Sequence, residues 1–338
     1  MKSLIRTGVF AALTALLTPL LILTAVGAMK RPETAQKPQP THMAVDRFGT
    51  SVGNPQENPA EKKTYDARQT VRLLTENGVR ELLLSDYLVG VLAGELPRSF
   101  AAEAVAAQAV AARTFTLRQM TGGKHDGALC SSPSCCQAWN ETVEEAWAAE
   151  LSAAVAATDG QVLCYEGELI EALFFSCSGG RTEAAVAVWG GDVPYLIPVD
   201  SPGEEAAPRY TGLVQVSAAD FRETILGAYS DAFLSGPPEA WLGQAVQTEG
   251  GGVATLEIGG IPIPGTKLRS LFGLNSTNFI LRPEGECFVF ETLGFGHRVG
   301  MSQYGANAMA QNGAKWGEIL AHYYPGTELT CLLDSEGV

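Results

Sequence analysis

Residues 87–117, YLVGVLAGELPRSFAAEAVAAQAVAARTFTL, constrain the fold more than any other stretch. Leu88, Val91 and Leu92 have helical spacing. The run stops at Gly94-Glu95-Leu96-Pro97, because proline cannot continue a helix. Ser99 is placed to cap a second, alanine-rich helix from about Ala101 to Gln119. Glu95 then falls at the break between two packed helices, where a side chain can be aimed into a cleft. Alanine keeps the second helix thin, so neighbouring backbone can come close. Taken alone, a Glu at a helix end is more often a solvated surface charge.

The string changes that balance. Tyr87-Leu88-Val89-Gly90-Val91, Gly94-Glu95-Leu96-Pro97 and Glu103-Ala104-Val105-Ala106-Ala107-Gln108-Ala109-Val110-Ala111-Ala112-Arg113-Thr114-Phe115 together resemble the catalytic motif of the stage II sporulation protein D family and the related amidase enhancers. The resemblance implies that Glu95 is the acid of a lytic transglycosylase and that Arg113 belongs to the substrate site. It departs at Ala106, where the family usually has Lys. It implies an α+β fold, with mixed helices and antiparallel strands forming two lobes around a glycan-binding cleft.

The N-terminus bears on placement. Behind Lys2 and Arg6, an uncharged, mostly apolar run from Gly8 to Met29 is long enough to cross a bilayer, which takes ~20 residues. We therefore expect residues 1–29 to be a single-pass anchor in the cytoplasmic membrane, with the rest of the chain outside. Val26-Gly27-Ala28 offers the rival reading of a cleaved signal peptide. Residues 30–64, rich in Pro, Gln, Asn and charge, read as an extended linker. Residues 65–338 form the catalytic domain in this reading. The net charge of −14 argues against a nucleic-acid partner and not against an uncharged polysaccharide.

Asn77-Gly78 between two apolar runs signals a hairpin, and Asp86 is expected to open the first helix. The stretch 125–136 packs three Cys and one His into twelve residues. The stretch resembles a loop that in many relatives carries a His, a Cys and then His-Cys-Gln-Ala-Tyr, and in some of them these residues bind zinc; here Cys135 replaces the second His. The resemblance therefore implies that His125, Cys130, Cys135 and Cys136 hold a structural Zn2+, with none required for catalysis. A disulfide from Cys130, usual outside the cytoplasm, and free thiols are the alternatives.

Val143 to Ala157 reads as a helix with Thr142 and Glu145 as its capping box. Strands are expected at 161–165 and 168–176, with Cys164 and Cys177 in the core. The loop that follows, Ser176-Cys177-Ser178-Gly179-Gly180-Arg181-Thr182-Glu183, lines the cleft in the family, which nominates Ser176. Trp189-Gly190-Gly191-Asp192-Val193-Pro194-Tyr195-Leu196 matches a further family element. Residues 210–280 read as a mixed insertion, with a helix near 218–226 and a strand near 253–258.

The second strong signal is Gly294-Phe295-Gly296-His297-Arg298-Val299-Gly300-Met301-Ser302-Gln303-Tyr304-Gly305-Ala306. It resembles the family's Gly-His-Gly-Val-Gly-Met-Ser-Gln-Tyr-Gly-Ala, with Arg298 in place of the middle Gly. A positive φ there would strain Arg298 by about 1–2 kcal/mol; alternatively its side chain gives the cleft a new hydrogen-bond donor. His297, Gln303 and Tyr304 are expected to touch sugar. Ser302 caps a helix through Gln311, and Trp316, Ile319, Leu320 and Tyr323 form a buried helix face, with Tyr324 expected to reach the cleft.

The expected substrate is the peptidoglycan glycan strand, cut between N-acetylmuramic acid and N-acetylglucosamine to leave 1,6-anhydro ends during septal wall remodelling and engulfment in sporulation. A wall amidase and a membrane scaffold protein are the expected partners, with the membrane itself engaged through residues 8–29. A lytic transglycosylase works with one carboxylate, whereas hydrolytic glycosidases need two; Glu103, Glu183 and Asp192 keep hydrolysis open. The rival from another class is a non-catalytic, wall-binding activator of an N-acetylmuramoyl-L-alanine amidase.

Overall fold

Gly78 sits at φ 112°, a conformation glycine adopts without cost, and it closes the first hairpin. The computed structural model describes residues 64–332. Within them β1 (Thr70–Thr75) and β2 (Gly78–Leu83) pair antiparallel, Thr75 opposite Gly78. Val71 and Leu73 face inward and Arg72 outward, the period of two expected of a half-buried strand.

The chain passes directly from β2 into α1 (Leu84–Glu95). Leu84, Leu88, Val91 and Leu92 form its buried stripe, and Pro97 ends it two residues past Glu95. Then comes α2 (Ala102–Gly122). Its alanines at 104, 107, 109, 111 and 112 are buried, so α2 packs closely against α1, β4 (Gln161–Tyr165), α3 (Glu145–Ala157) and the two C-terminal helices.

Three expected helix starts are corrected. Ser99 does not cap α2; the Phe100 amide turns back to the Pro97 carbonyl, Ser99 is held in that turn, and Ala101 precedes the helix without a side-chain cap. Thr142 and Glu145 form no capping box, because the Thr142 amide bonds to Asn140 Oδ1 and α3 opens after Glu144. Asp86 lies within the first turn of α1 rather than opening it.

The middle of the chain is built from short strands. β3 (Leu129–Cys130) runs parallel to β1, and β5 (Glu168–Leu169) pairs with β4 across the Glu166-Gly167 turn. The strand expected at 168–176 is interrupted: β6 (Phe174–Phe175) leaves this sheet to run parallel to residues 301–302. β7 (Gly180–Arg181) and β8 (Asp200–Ser201) flank the short helix α4 (Ala185–Trp189).

The expected insertion has its own core. β9 (Thr211–Ser217), α5 (Ala218–Ala228), β10 (Leu242–Gln247), β11 (Val253–Ile258), β12 (Ile261–Pro264), α6 (Gly265–Phe272), β13 (Phe279–Glu284) and β14 (Cys287–Leu293) enclose it. Two three-stranded antiparallel sheets, ordered β10-β11-β12 and β13-β14-β9, surround stacked rings, with Phe221 and Phe288 centred 4.0 Å apart. The chain then returns to the first core through β15 (Met301–Ser302), α7 (Gln303–Gln311), α8 (Trp316–Tyr323) and β16 (Glu328–Cys331). The architecture is mixed α plus β with mainly antiparallel pairing, as expected.

The single-pass membrane placement is corrected. Among the described residues no helix is long and apolar enough to cross a membrane. The run Gly8–Met29 that carried the expectation, and the linker before residue 64, lie outside the described residues.

Arg113 and Asp66 tie the first core together. Both are fully buried. Arg113 donates from Nε and Nη2 to Asp66 at 2.9 and 2.6 Å, and to the carbonyls of Val155 and Gln161, each at 3.2 Å. One guanidinium thus joins the entry of the domain, α3 and β4. Breaking a buried pair leaves an uncompensated charge, so Asp66→Ala should cost about 3–5 kcal/mol in denaturant unfolding. A loss under about 1 kcal/mol, the scale of exposed pairs, would remove this role.

Candidate active site

Glu95 is the last residue of α1, and two glycines on that helix decide its surroundings. Gly90 and Gly94 lie one turn apart, and the segment 138–140 crosses them. A Cβ on Gly90 would lie 2.1 Å from Trp139 Nε1, and one on Gly94 2.9 Å from the Ala138 carbonyl carbon. With those atoms absent, the Asn140 amide reaches the Gly90 carbonyl at 3.0 Å. The Ala138 amide reaches Glu95 Oε1 at 2.7 Å. From the opposite side α7 begins at Gln303, whose Nε2 donates to Glu95 Oε2 at 3.3 Å. Ser302 caps α7 as expected, accepting from the Gly305 amide.

Both partners of Glu95 are neutral amides. Burial pushes its carboxyl above the ordinary carboxylate range, and the Ala138 and Gln303 donors, which favour the charged form, pull against that without overcoming it. The arrangement can hold a proton on a carboxyl group at a pH where most carboxylates have lost theirs.

The expected site residues divide. Gln303 touches Glu95. Tyr304 follows it and packs edge-on against Phe100, with ring centroids 5.0 Å apart. Ser176 meets them through its carbonyl, which accepts the Tyr304 amide at 3.0 Å. His297 is engaged at both ring nitrogens: Nδ1 accepts from the Val299 amide and Nε2 donates to the Phe174 carbonyl. It sits between Phe175 and Trp189. Burial, then the charge of Arg269, lowers its pKa to about 4, so it is a neutral, positioned imidazole. Two residues are corrected from sugar contacts to interior ones. Arg113 is spent on Asp66. Tyr324 is fully buried and donates to the Leu173 carbonyl at 2.7 Å.

Arg298 meets the expectation of strain and not that of a new donor for the cleft. Its φ is 68°, the strained region, and its side chain is fully buried. It donates to the carbonyls of Ser178, Arg181 and Gly250 at 2.7, 2.9 and 2.6 Å and faces Glu183 at 3.8 Å. These charge-assisted bonds offset the backbone strain. They serve the protein's own carbonyls rather than an open cleft.

The Cys/His loop precedes the segment that crosses α1. His125, Cys130, Cys135 and Cys136 are half-buried, and their donor atoms all lie within 4.8 Å of one another. The adjacent pair is accommodated by a turn in which the amides of Cys135 and Cys136 both donate to the Ser132 carbonyl. Tetrahedral zinc with Zn–S of about 2.3 Å sets sulfur atoms about 3.8 Å apart, so the cluster fits that ion with modest contraction. None of the seven cysteines is joined in a disulfide.

Sequence reasoning missed Asp66, Glu204 and Asn307. Glu204 is buried under six donor contacts from Ser178, Gly179, Gly180, Ser201 and Ser302. Asn307 Oδ1 accepts the Ala101 amide at 2.8 Å and so clamps α7 to the start of α2. Nothing local marks these residues; a Glu in a Ser-Pro-Gly-Glu-Glu loop looks solvated. The Gly90-x-x-x-Gly94 spacing did carry a readable signal for close approach.

The SpoIID family model, described as Stage II sporulation protein, matches residues 75–165, which include Glu95 and the Cys/His cluster. Stage II sporulation protein D of Bacillus subtilis (strain 168) is 35% identical over 266 residues, covering 75% of this chain and 76% of that protein. Its counterpart in Bacillus amyloliquefaciens is 34% identical over 270 residues, with 76% of each chain covered. The Amidase enhancer of Bacillus subtilis (strain 168) is 28% identical over 291 residues, covering 72% of this chain and 40% of that protein. By this identity and coverage, the chain belongs to the stage II sporulation protein D family.

Proposed function

We propose that this protein is a peptidoglycan lytic transglycosylase with Glu95 as its general acid, acting from a single catalytic domain over residues 65–338. The observation that carries the reading is the Glu95 carboxyl itself, raised by burial and held between two neutral amides. The acid protonates the oxygen between N-acetylmuramic acid and N-acetylglucosamine. The carboxylate left behind takes the proton of the muramic 6-hydroxyl, which closes on the same ring and leaves a 1,6-anhydro end. Gln303 steadies the carboxylate formed midway, and Tyr304 flanks the sugar. The two cores would be the walls of the glycan cleft.

Two carboxylates that kept hydrolysis open are engaged elsewhere. Glu183 is buried with Thr248, the Ala184 amide and Arg298. Glu103 is bound by Lys315 and the Trp316 amide. Asp192 is exposed. The setting of the reaction, in this reading, is wall remodelling during sporulation, with a wall amidase as partner. The amidase-enhancer likeness favours a second reading, a binding module that activates such an amidase.

His125, Cys130, Cys135 and Cys136 are the residues that would hold a structural zinc. A zinc ion there would cross-link the loop that delivers the Ala138 amide; it supplies no proton-transfer chemistry.

Glu95→Gln should lower release of glycan fragments by about 10²–10⁴-fold while glycan binding survives. Mass spectrometry of wild-type products should show anhydromuramic ends, one water lighter than hydrolysed ends. Hydrolysed ends would point to a second carboxylate. No fragments from wild type, with a partner amidase still accelerated by both forms, would install the activator reading instead.

The pH profile follows from the same carboxyl. The active form is protonated and burial raises the pKa, so turnover should persist above the usual carboxylate range and fall as pH rises through the raised value. A profile that falls already across the ordinary Glu range would contradict the buried-acid account.

Purified protein should carry about one zinc per chain, and strong chelation should lower its melting temperature, because metal binding is folding energy. Elemental analysis without metal, together with a Cys130 disulfide, would end the zinc reading.

A further inference from the structure

Glu204 is a buried carboxylate, 1% exposed, without a cation in hydrogen-bond contact. Oε2 accepts from the Ser178 amide and hydroxyl at 2.8 and 2.7 Å, and from the amides of Gly179 and Gly180 at 2.9 and 3.3 Å. Oε1 accepts from the hydroxyls of Ser201, at 2.7 Å, and Ser302. The Tyr323 hydroxyl donates onward to Ser201 at 2.6 Å. Gly305 makes room for this nest: a Cβ there would lie 2.1 Å from both Ser201 Oγ and Tyr323 Oη. A buried charge on this scale persists only when its lone pairs are filled, and here neutral donors fill them.

The nest converges on one point. The Ser302 hydroxyl donates a hydrogen bond to Glu204 and accepts one from the Gly305 amide, which sets the N-terminus of α7. The next residue is Gln303, which reaches Glu95. The loop on the other side of Glu204 returns to the same place, since the Ser176 carbonyl holds the Tyr304 amide.

We propose that Glu204 is a positioning residue for the Glu95 site: it fixes Ser302 and the start of α7 so that the Gln303 amide is aimed at the Glu95 carboxyl. The geometric claim stands apart from the catalytic reading; its effect on turnover rests on that reading. In Glu204→Gln one orientation of the side-chain amide sets an N–H against the amides of Ser178, Gly179 and Gly180, and the other obliges the Ser201 and Ser302 hydroxyls to turn from donors into acceptors. Either way Ser302 loses its charge-assisted bond to residue 204, and the Gln303 bond weakens. That bond favours ionised Glu95, so its loss raises the Glu95 pKa. The other groups acting on Glu95 are burial and the Ala138 amide. Arg98, on the turn after it, is paired with Glu144 and Glu150, and Glu103 at the start of α2 is paired with Lys315.

The test is the carboxyl titration of Glu95 in the full chain, followed by ¹³C NMR and assigned by its disappearance in Glu95→Gln. Glu204→Gln and Gln303→Ala should each move the midpoint upward by about 0.4–1 pH unit, the worth of one hydrogen bond. Combined, they should move it no further than either alone, because both remove the same contact. An unchanged midpoint in folded Glu204→Gln, or fully additive shifts, overturns the proposal. Should Glu204→Gln fail to fold, Ser302→Ala should show the upward shift and Ser302→Thr, which keeps the hydroxyl, should not; equal midpoints in both overturn it. A shifted Glu95 in a chain that releases no glycan fragments upholds the positioning role while the transglycosylase reading fails.

Discussion

The Ala138 amide reaches Glu95 because α1 carries no side chain at Gly90 or Gly94. A methyl at either position would occupy the space of the crossing backbone or the Trp139 ring. Everything that gives Glu95 its character follows from that closeness: the carboxyl is covered enough for burial to raise its pKa, and one oxygen is fixed by a short bond at 2.7 Å. The crossing segment is also the continuation of the Cys/His loop. The shape of that loop and the setting of Glu95 are thereby joined through two residues of backbone.

Buried charge is the second theme, and the protein handles it in three ways. Arg113 and Asp66 neutralise each other in the first core. Arg298 spends its donors on backbone carbonyls, with Glu183 at 3.8 Å, and holds the 248–252 turn against the loop 178–183. Glu204 has no cation bound and is satisfied by hydroxyls and amides alone. Each costs desolvation, and each joins segments distant in sequence.

Much of the fold was legible in local pattern. The Asn77-Gly78 hairpin, the break at Pro97, the Ser302 cap and the buried stripe of α8 each depend on near neighbours, and each formed as expected. The segment 210–280 was visible as a mixed insertion, though its separate aromatic core, its continuation to Leu293 and most of its strands were not. The misplaced caps share a cause: Ser99 and Thr142 have the right chemistry, yet both were drawn into tight turns before the helix began.

For the site, the sequence by itself determined where the candidate acid and its neighbour's helix start lie. Glu95 ends a helix that Pro97 cannot continue, and Gln303 lies beside a serine that caps its own helix; these are properties of short spacing. Only the tertiary structure decided what those groups meet. It brought Gln303 to Glu95 across 208 residues, turned Arg113 and Tyr324 inward, and buried Glu204 beneath Ser302. The physical reason is that local pattern states how each segment folds, whereas burial and hydrogen-bond partners belong to the packed whole, where a charged side chain is inside or outside according to what lies opposite it.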